Sequence, residues 1–503
     1  MKFSMPQWLL YSLLVPVVLG IIFVWSPAWD ALAVGGDEGR ELSKALLLSE
    51  RPSTVIRMEN DQPWLYTMLV STFFKMSGPS AGIARLFSLV STTAMLAALG
   101  WILRPAVGCF GLLLAGIFLF SAKGMLGLSM AAMPGLPAIS WAVVAVALSC
   151  ASSHPPNWKR LLLSGAVWAC AVHIKLTALM VLPAFVVFVF RQWGWKSASR
   201  GLCPWGIGFM AAFLIIVIAS PSFHLNLLFC SSPKPDWNKS GFHLSELLLN
   251  PGSMLAAILG GAHMVKLKAP APLLFALVWF ATVALLAGMM GSWPEQDIAQ
   301  FYIPLAILGS VGFATTVSRA LGELQGSPSP DESSNNKGLW FRNRNELNAL
   351  GAVTVFAFWV GFAIPDFVSA LTRLNHLPSA KQDGLCLSIR ENAKATRWCY
   401  TRFPKYAFAG GVIIPPELAA ILAPRSLECN LTGELALDLV RNYQPEQLLL
   451  EGNVEMRNQA WAAWTTNNYV LVDRDGEKEL WVSRQLHPRE IQPSNELLRK
   501  LGL

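Results

Sequence analysis

Long apolar runs separated by short polar stretches dominate the first three quarters of the chain. Because a helix needs roughly 20 mostly apolar residues to cross a bilayer, these runs predict about eleven transmembrane helices. A further run, 64–77, is apolar but brief, and we interpret it as an interfacial or re-entrant helix. The spanning runs are 8–25, 82–103, 106–121, 129–150, 160–174, 176–190, 204–221, 247–264, 271–291, 300–317 and 348–366.

The basic residues predict how these helices are oriented. With Lys2 on the cytoplasmic side, the cytoplasmic loops hold most of the Lys and Arg, and the short outer loops hold almost none, Lys123 being the main exception. This is the usual bias of membrane proteins, and counting 64–77 as a full span would reverse it. The N-terminus is therefore expected in the cytoplasm, and two hydrophilic parts, 26–81 and 367–503, on the outer side.

The predicted fold class is a mainly α, polytopic membrane protein with a C-terminal soluble α/β domain. Residues 1–366 form the membrane domain, with an exported first loop at 26–81 and a Ser/Pro/Asn-rich cytoplasmic linker loop at 318–347. Residues 367–503 form the exported domain. It contains three strand-like runs and one probable helix, at 446–452, 469–475, 478–484 and 432–443.

Composition agrees with this class. Charged residues make up 14% of the chain and apolar residues 53%, whereas roughly a quarter of a soluble protein is charged. We interpret the net charge of +8 as the cytoplasmic bias of Lys and Arg, so nucleic acid is not an expected partner. An Ala31-Leu32-Ala33 sequence resembles a signal cleavage site, but the run 8–25 is long enough to span. We expect it to be retained, in the plasma (inner) membrane.

Four cysteines fall on the outer side of this topology: Cys230, Cys386, Cys399 and Cys429. A disulfide between Cys386 and Cys399 would close a short loop, which stabilises a fold by roughly 3 kcal/mol on the chain-entropy description. An oxidising periplasm would permit it. Four free thiols are the alternative, and the sequence leaves both open.

Unusual polar residues collect on the predicted outer face. Asp37, Glu38, Arg40 and Glu41 directly follow the first apolar run. A carboxylate at headgroup level can deprotonate an acceptor hydroxyl, and Lys or Arg can bind a phosphate leaving group. The same residues also fit a solvated helix start or interfacial anchors. The other polar candidates on this face are Asp61, Gln62, Arg85, Lys175, Asp297 and Tyr302.

The order of these residues resembles one family, the polyprenol-phosphate-sugar-dependent transferases of the GT-C superfamily, and within it the protein O-mannosyltransferase and aminoarabinose transferase group. The matching segments together cover most of residues 1–310. They are GGDEGREL (35–42), NDQPWLYTML (60–69), GPSAGIARLFSLVST (78–92), 161–183 and QFYIPLAILG (300–309).

The resemblance implies catalytic roles for Asp37, as base, and for its neighbour Glu38. It implies substrate-binding roles for Asp61 and Gln62 in the Gln-Pro box, and for Lys175 near the donor phosphate. Arg40, Arg85 and Tyr302 are further substrate-binding candidates. No metal is required, although a divalent cation at Asp37 and Glu38 stays open. Many relatives carry an Asp where this chain has Met133, which puts the substrate more in doubt than the reaction class.

The resemblance implies a glycosyltransferase that passes a sugar from a polyprenyl-phosphate carrier to a glycan, lipid or protein acceptor at the outer face. A transporter or flippase is an alternative, but it would predict inverted repeats and polar groups near the midplane, whereas the charges here cluster on one side. A non-catalytic scaffold is a third hypothesis, which the Met133 departure supports and the intact acidic pair opposes. A phosphoethanolamine-type transferase would want a metal cluster, and the sequence shows none.

Overall fold

We describe a computed structural model of the chain. It covers residues 17–35, 37–57, 62–107, 110–122, 124–150, 157–220, 271–290, 297–324, 361, 364–416, 433–452 and 455–486. Several predictions lie outside these described residues. They concern the span at 247–264, most of the span at 348–366, most of the linker loop, the first residue of the helix predicted at 432–443, and Asp61, Cys230 and Cys429.

The described residues before 325 are helical almost throughout. Residues 17–25 and 364–375 are helical as well. The named helices are α1 Glu38–Glu50, α2 Leu65–Ser77, α3 Ala81–Val107, α4 Phe110–Phe120, α5 Met125–Met130, α6 Gly135–Cys150, α7 Trp158–Ile174, α8 Leu182–Ala219, α9 Ala271–Met290 and α10 Ala299–Leu324.

Three stretches of the described chain are long and apolar enough to cross a membrane: Ala81–Arg104, Leu176–Ala219 and Ala271–Gly288. At about 1.5 Å rise per residue, roughly 20 residues reach the roughly 30 Å of a bilayer core, and the shortest stretch has 18. Gly135–Cys150 and Ala299–Ala314 are apolar but shorter. The structure thus supports an apolar helical protein, and the count of about eleven spans stays a prediction.

Helix α8 differs from the sequence prediction of two spans joined by a polar loop. The helix runs on through residues 195–203 and contains one non-helical residue, Gly194, with φ 73° and ψ 163°. Glycine adopts this positive φ without the Cβ clash that other residues suffer. The two predicted spans therefore meet at a single-residue break, and the polar stretch forms the first turns of the second helix.

Beyond residue 376 the described chain contains β-strands as well as helices. We call its described residues 379–486 the tail unit. It carries a four-stranded sheet in the order β1-β2-β4-β3, in which β1 is parallel to β2 and the other pairs are antiparallel. The elements are α11 Gly384–Glu391, β1 Cys399–Thr401, α12 Pro404–Gly410, α13 Gly433–Tyr443, β2 Gln447–Glu451, α14 Gln459–Asn468, β3 Tyr469–Asp475 and β4 Lys478–Ser483.

Three of these strands and helix α13 lie where the alternating and helical patterns predict them. Strand β1 was not predicted, because its three residues are too short to show the two-residue period of a strand. It forms by pairing with β2, with Tyr400 opposite Leu448. The export of this part of the chain as a soluble domain remains a prediction.

The disulfide alternative for Cys386 and Cys399 is wrong, because both are free thiols. Cys386 lies on α11 and Cys399 begins β1, and each is fully buried in the apolar core of the tail unit. Asp383 caps α11 by accepting a hydrogen bond of 3.0 Å from the Cys386 amide. In both the helix and the strand, the cysteine therefore packs in the core as a small apolar side chain.

We expect both thiols to react slowly with iodoacetamide in the folded protein. Burial raises the pKa of each, Cys386 and Cys399, to about 12. The thiolate is the nucleophile, and at pH 8 a pKa near 12 in place of 9 leaves roughly a thousandth of the thiolate. Mass spectrometry should find slow labelling that becomes fast in denaturant. A disulfide-linked peptide pair without reductant would contradict this.

Candidate active site

The first loop packs against the tail unit. Ala31 forms an antiparallel bridge with Ser379, and the Leu32 amide donates a hydrogen bond of 2.8 Å to the carbonyl of Pro378. The side chains of Leu47 and Trp64 belong to the same hydrophobic core as the tail-unit sheet. Part of the first loop and the tail unit therefore share one core, although more than 300 residues separate them in sequence.

A cavity of about 420 Å³ lies where the two parts meet. Asp37 is the N-cap residue of α1, and its side chain is 42% exposed. Arg40 follows one helical turn later, with its Nη2 atom 3.8 Å from Asp37 Oδ2. The first-loop lining is Ala33, Val34, Gly35, Asp37, Gly39 and Arg40, and the tail-unit lining is Arg402, Phe403, Pro404 and Lys405.

The two walls of the cavity touch at Gly39. A Cβ atom at this position would collide with the backbone nitrogen and Cα of Lys405. Nearby, the Ser43 hydroxyl donates a hydrogen bond of 3.2 Å to the carbonyl of Pro404. Helix α12 can approach α1 this closely because residue 39 has no side chain, and that approach fixes the tail-unit wall beside Asp37.

Glu38 and Arg85 form an ion pair whose side chains have no exposed surface. Arg85 donates from Nε to Glu38 Oε1 at 2.7 Å and from Nη2 to Glu38 Oε2 at 2.8 Å, the two-pronged geometry that makes Arg–carboxylate pairs strong. Its Nη1 donates to the carbonyls of Ala28 and Trp29. The guanidinium thus ties α3 to both α1 and the first loop.

The Glu38 carboxylate also accepts hydrogen bonds from two backbone amides. Val34 donates to Oε2 at 2.6 Å and Ala132 donates to Oε1 at 2.8 Å. Including Arg85, four donors reach one carboxylate, from three segments that are distant in sequence. These hydrogen bonds to Glu38 connect the residues on either side of Asp37 to the turn at 131–133.

Met133 packs against the same loop. It is 5% exposed, and a Cβ at Gly35 would collide with its Sδ atom. Where the resemblance would place a carboxylate, this chain has an apolar contact to the stretch that leads into Asp37.

Lys175 lies in a second polar cluster, at the end of α7. Its Nζ donates to both carboxylate oxygens of Asp297 at 2.8 Å, and the side chain is 9% exposed. Next to it, Gln300 accepts a hydrogen bond from Trp279 Nε1 and donates one to the carbonyl of Thr177, both at 2.9 Å. Lys175 and the carboxylate predicted on the same face are thus brought together.

The remaining predicted residues that the structure describes lie apart from the cavity lining. Tyr302 is 2% exposed in the helical core. Gln62 Oε1 is enclosed and has no hydrogen-bond partner within the described part of the chain. Seven of the eight predicted site residues are described, and of these seven only Asp37 and Arg40 line the cavity.

Sequence reasoning missed Arg402 and Lys405. The only signal was two cations flanking Phe403-Pro404, a pattern too common to indicate a site. Their place beside Asp37 depends on tertiary packing, because the Ser43–Pro404 contact spans 361 residues.

Solved structures of other proteins have a similar fold. ArnT from Cupriavidus metallidurans in the apo state matches with a TM-score of 0.65 and 15% identity, over 95% of this chain and 98% of that one. ArnT from the same organism bound to undecaprenyl phosphate matches with a TM-score of 0.63 and 14% identity, over the same shares. The chain has the GT-C fold.

The GT-C fold was implied by the order of motifs in the first 310 residues, and it is confirmed at the level of architecture. No protein-family model and no curated protein sequence matches the chain. At this low identity the likeness concerns the fold, and activity has to be argued from the site.

Proposed function

We propose that the protein is a membrane glycosyltransferase that moves a sugar from a polyprenyl-phosphate carrier to a glycan, lipid or protein acceptor. The observation that carries the proposal is a carboxylate, Asp37, in a cavity of about 420 Å³ that it shares with Arg40. The GT-C fold adds to it, since an ArnT of the same fold is bound to undecaprenyl phosphate. We place the protein in the inner membrane, with the N-terminus cytoplasmic and the tail unit periplasmic.

The proposed step is a direct displacement with inversion. The acceptor hydroxyl oxygen forms a bond to the anomeric carbon as the bond from that carbon to the carrier phosphate oxygen breaks. Asp37 takes the hydroxyl proton, and the polyprenyl phosphate leaves with the electron pair of the broken bond. General base catalysis of this kind accelerates reactions by roughly 100- to 10,000-fold.

The roles of three other predicted residues follow from their contacts. Arg40 remains a substrate-binding residue in the proposal, because it lines the cavity beside Asp37. Glu38 and Arg85 act as positioning residues, because their charged groups are enclosed and bonded to one another. Asp61, Gln62 and Tyr302 keep the substrate-binding roles that the resemblance implies.

The proposal requires no metal ion, since cationic side chains can stabilise the leaving phosphate. Glu38 already accepts four hydrogen bonds, so a cation shared with Asp37 would have to displace some of them. Among the described residues, no group of three or more His, Cys, Asp or Glu side chains is arranged to hold a metal.

The test is transfer by the purified full-length protein in lipid, from a radiolabelled polyprenyl-phosphate sugar to envelope extracts as acceptor, with and without EDTA. The expected result is labelled acceptor, formed at the same rate in both conditions. Donor binding with no transfer to any acceptor fraction would favour the transporter or scaffold hypothesis. Loss of transfer in EDTA would show that the reaction needs a metal ion, which the proposal does not include.

We further propose that Lys175 binds the carrier phosphate once the donor displaces Asp297. Lys175→Met alone would leave the Asp297 carboxylate buried without its cation, so the informative variant is Lys175→Met with Asp297→Asn. It should fold normally and bind undecaprenyl phosphate about tenfold more weakly, as expected for losing one charged hydrogen bond.

The control for this variant is Lys159→Met, which removes an exposed lysine at the other end of α7. Binding can be measured by titrating undecaprenyl phosphate into protein in lipid nanodiscs. Unchanged affinity of the double variant would assign the Lys175–Asp297 pair to folding alone.

A further inference from the structure

The tail-unit wall of the cavity is held in a fixed position. Its residues 402–405 follow strand β1 directly, and the Phe403 amide donates a hydrogen bond of 2.8 Å to the hydroxyl of Thr401. The Pro404 carbonyl is bonded to Ser43, and the Lys405 backbone lies against Gly39. The segment is therefore attached both to the tail-unit sheet and to the helix that Asp37 caps.

Arg402 is oriented by a carboxylate of its own unit. Its Nε lies 2.7 Å from Glu455 Oε1, and Glu455 in turn accepts a hydrogen bond of 3.0 Å from the Glu451 amide. The Glu455 side chain is 3% exposed and that of Arg402 is 26% exposed. The arginine is therefore ion-paired with Glu455 on its inner side and still reaches the cavity lining.

Cations outnumber carboxylates among the residues that line the cavity. Its lining holds three cations, Arg40, Arg402 and Lys405, against one carboxylate, Asp37. Arg40 also lies 3.7 Å from Glu41, and that carboxylate is shared with Lys44 at 3.1 Å.

Lys405 differs from the two arginines. Within the described residues it has no carboxylate within 4 Å, and its Nζ lies 5.5 Å from the centre of the Tyr406 ring. Among the described residues, no ion pair therefore offsets its charge, in contrast to Arg402 on the same wall.

We propose that Arg402 and Lys405 form, with Arg40, an anion-binding subsite that the tail unit contributes to the cavity beside Asp37. Its ligand is a phosphate or carboxylate group of a substrate. A planar guanidinium can bind two oxygens of such a group at once, and an ammonium adds a mobile point charge. The identification of the anion as part of a substrate rests on the proposed function. The binding of an anion at these residues does not.

The experiment measures how fast individual lysines are acylated by an N-hydroxysuccinimide ester in the full-length protein in lipid, with mass spectrometry as the readout. Undecaprenyl phosphate, uncharged undecaprenol and inorganic phosphate are added separately. Lys394, an exposed lysine of the tail unit that does not line the cavity, is the internal control. A bound anion should slow labelling of Lys405 severalfold and leave Lys394 unchanged.

The two phosphate probes distinguish the source of the anion. Protection by undecaprenyl phosphate, but not by undecaprenol, assigns the subsite to the carrier. Protection by inorganic phosphate alone assigns it to an anionic acceptor that arrives from the aqueous side. Protection by neither probe overturns the proposal. Because the readout is binding, a protein that binds the anion and transfers no sugar would contradict the proposed function and leave the subsite standing.

Variants give a second measurement with the protecting anion. Lys405→Gln should weaken its binding about tenfold, Lys405→Arg should retain most of it, and Lys394→Gln should change nothing. Equal weakening by Lys405→Gln and Lys394→Gln would mean that only the overall charge of the tail unit matters, and would also overturn the proposal.

Discussion

Asp37→Asn is expected to slow sugar transfer by roughly 100- to 10,000-fold while donor binding stays close to that of the unmodified protein. The amide has nearly the shape of the carboxylate but cannot accept the acceptor proton. The Asp37 side chain makes no capping hydrogen bond to α1, so the helix loses little by the change. The measurement is transfer from a radiolabelled polyprenyl-phosphate sugar, with the affinity for undecaprenyl phosphate determined on the same preparations.

Asp30→Asn is the matched control. Asp30 lies in the same loop, its side chain is likewise 42% exposed, and its partner Lys381 is exposed too. Exposed ion pairs contribute little to stability, so this variant should transfer at nearly the original rate. If Asp37→Asn also transferred normally, GGDEGREL would be a solvated helix start, and Asp37 would not be the catalytic base.

Arg85→Met is expected to destabilise the protein by about 3–5 kcal/mol, the usual cost of breaking a buried ion pair from one side. The variant leaves the Glu38 carboxylate buried without its cation, and the carbonyls of Ala28 and Trp29 without their donor. Thermal unfolding in detergent should show a clear loss of stability. Arg104→Met, which removes an exposed arginine from the same helix, should show almost none.

Replacing both members of the pair by apolar residues should not restore stability here. In Glu38→Leu with Arg85→Met, the amides of Val34 and Ala132 lose their acceptor, and buried unpaired amides are costly. If Arg85→Met instead unfolded like the original protein but bound undecaprenyl phosphate weakly, the substrate-binding role predicted from the sequence would be right and the positioning role wrong.

The parts of the site that the sequence predicts are those set by local geometry. Asp37 and Arg40 are three residues apart, and on a helix this spacing brings side chains together. Strands β2, β3 and β4 follow from alternation over five to seven residues. The GT-C fold follows from the order of several motifs, which no single motif would have indicated.

What the sequence could not predict depends on contacts between distant segments. Glu38 and Arg85 look like two separate candidates for substrate chemistry until the fold pairs them across 47 residues. Lys175 and Asp297 are 122 residues apart. Cys386 and Cys399 are close in sequence, but the apolar core of the tail unit takes up their thiols separately, and spacing alone does not reveal this.

The contact between Gly39 and Lys405 joins a segment that is synthesised early to one that is synthesised late. A ribosome adds roughly 5–20 residues each second, so the 361 residues between Ser43 and Pro404 take about 20–70 s to synthesise. Throughout that interval the nascent chain presents Asp37 without the wall that will enclose it. The cavity is completed only near the end of translation, so a chain truncated before residue 402 would carry its carboxylate and still lack half of its pocket.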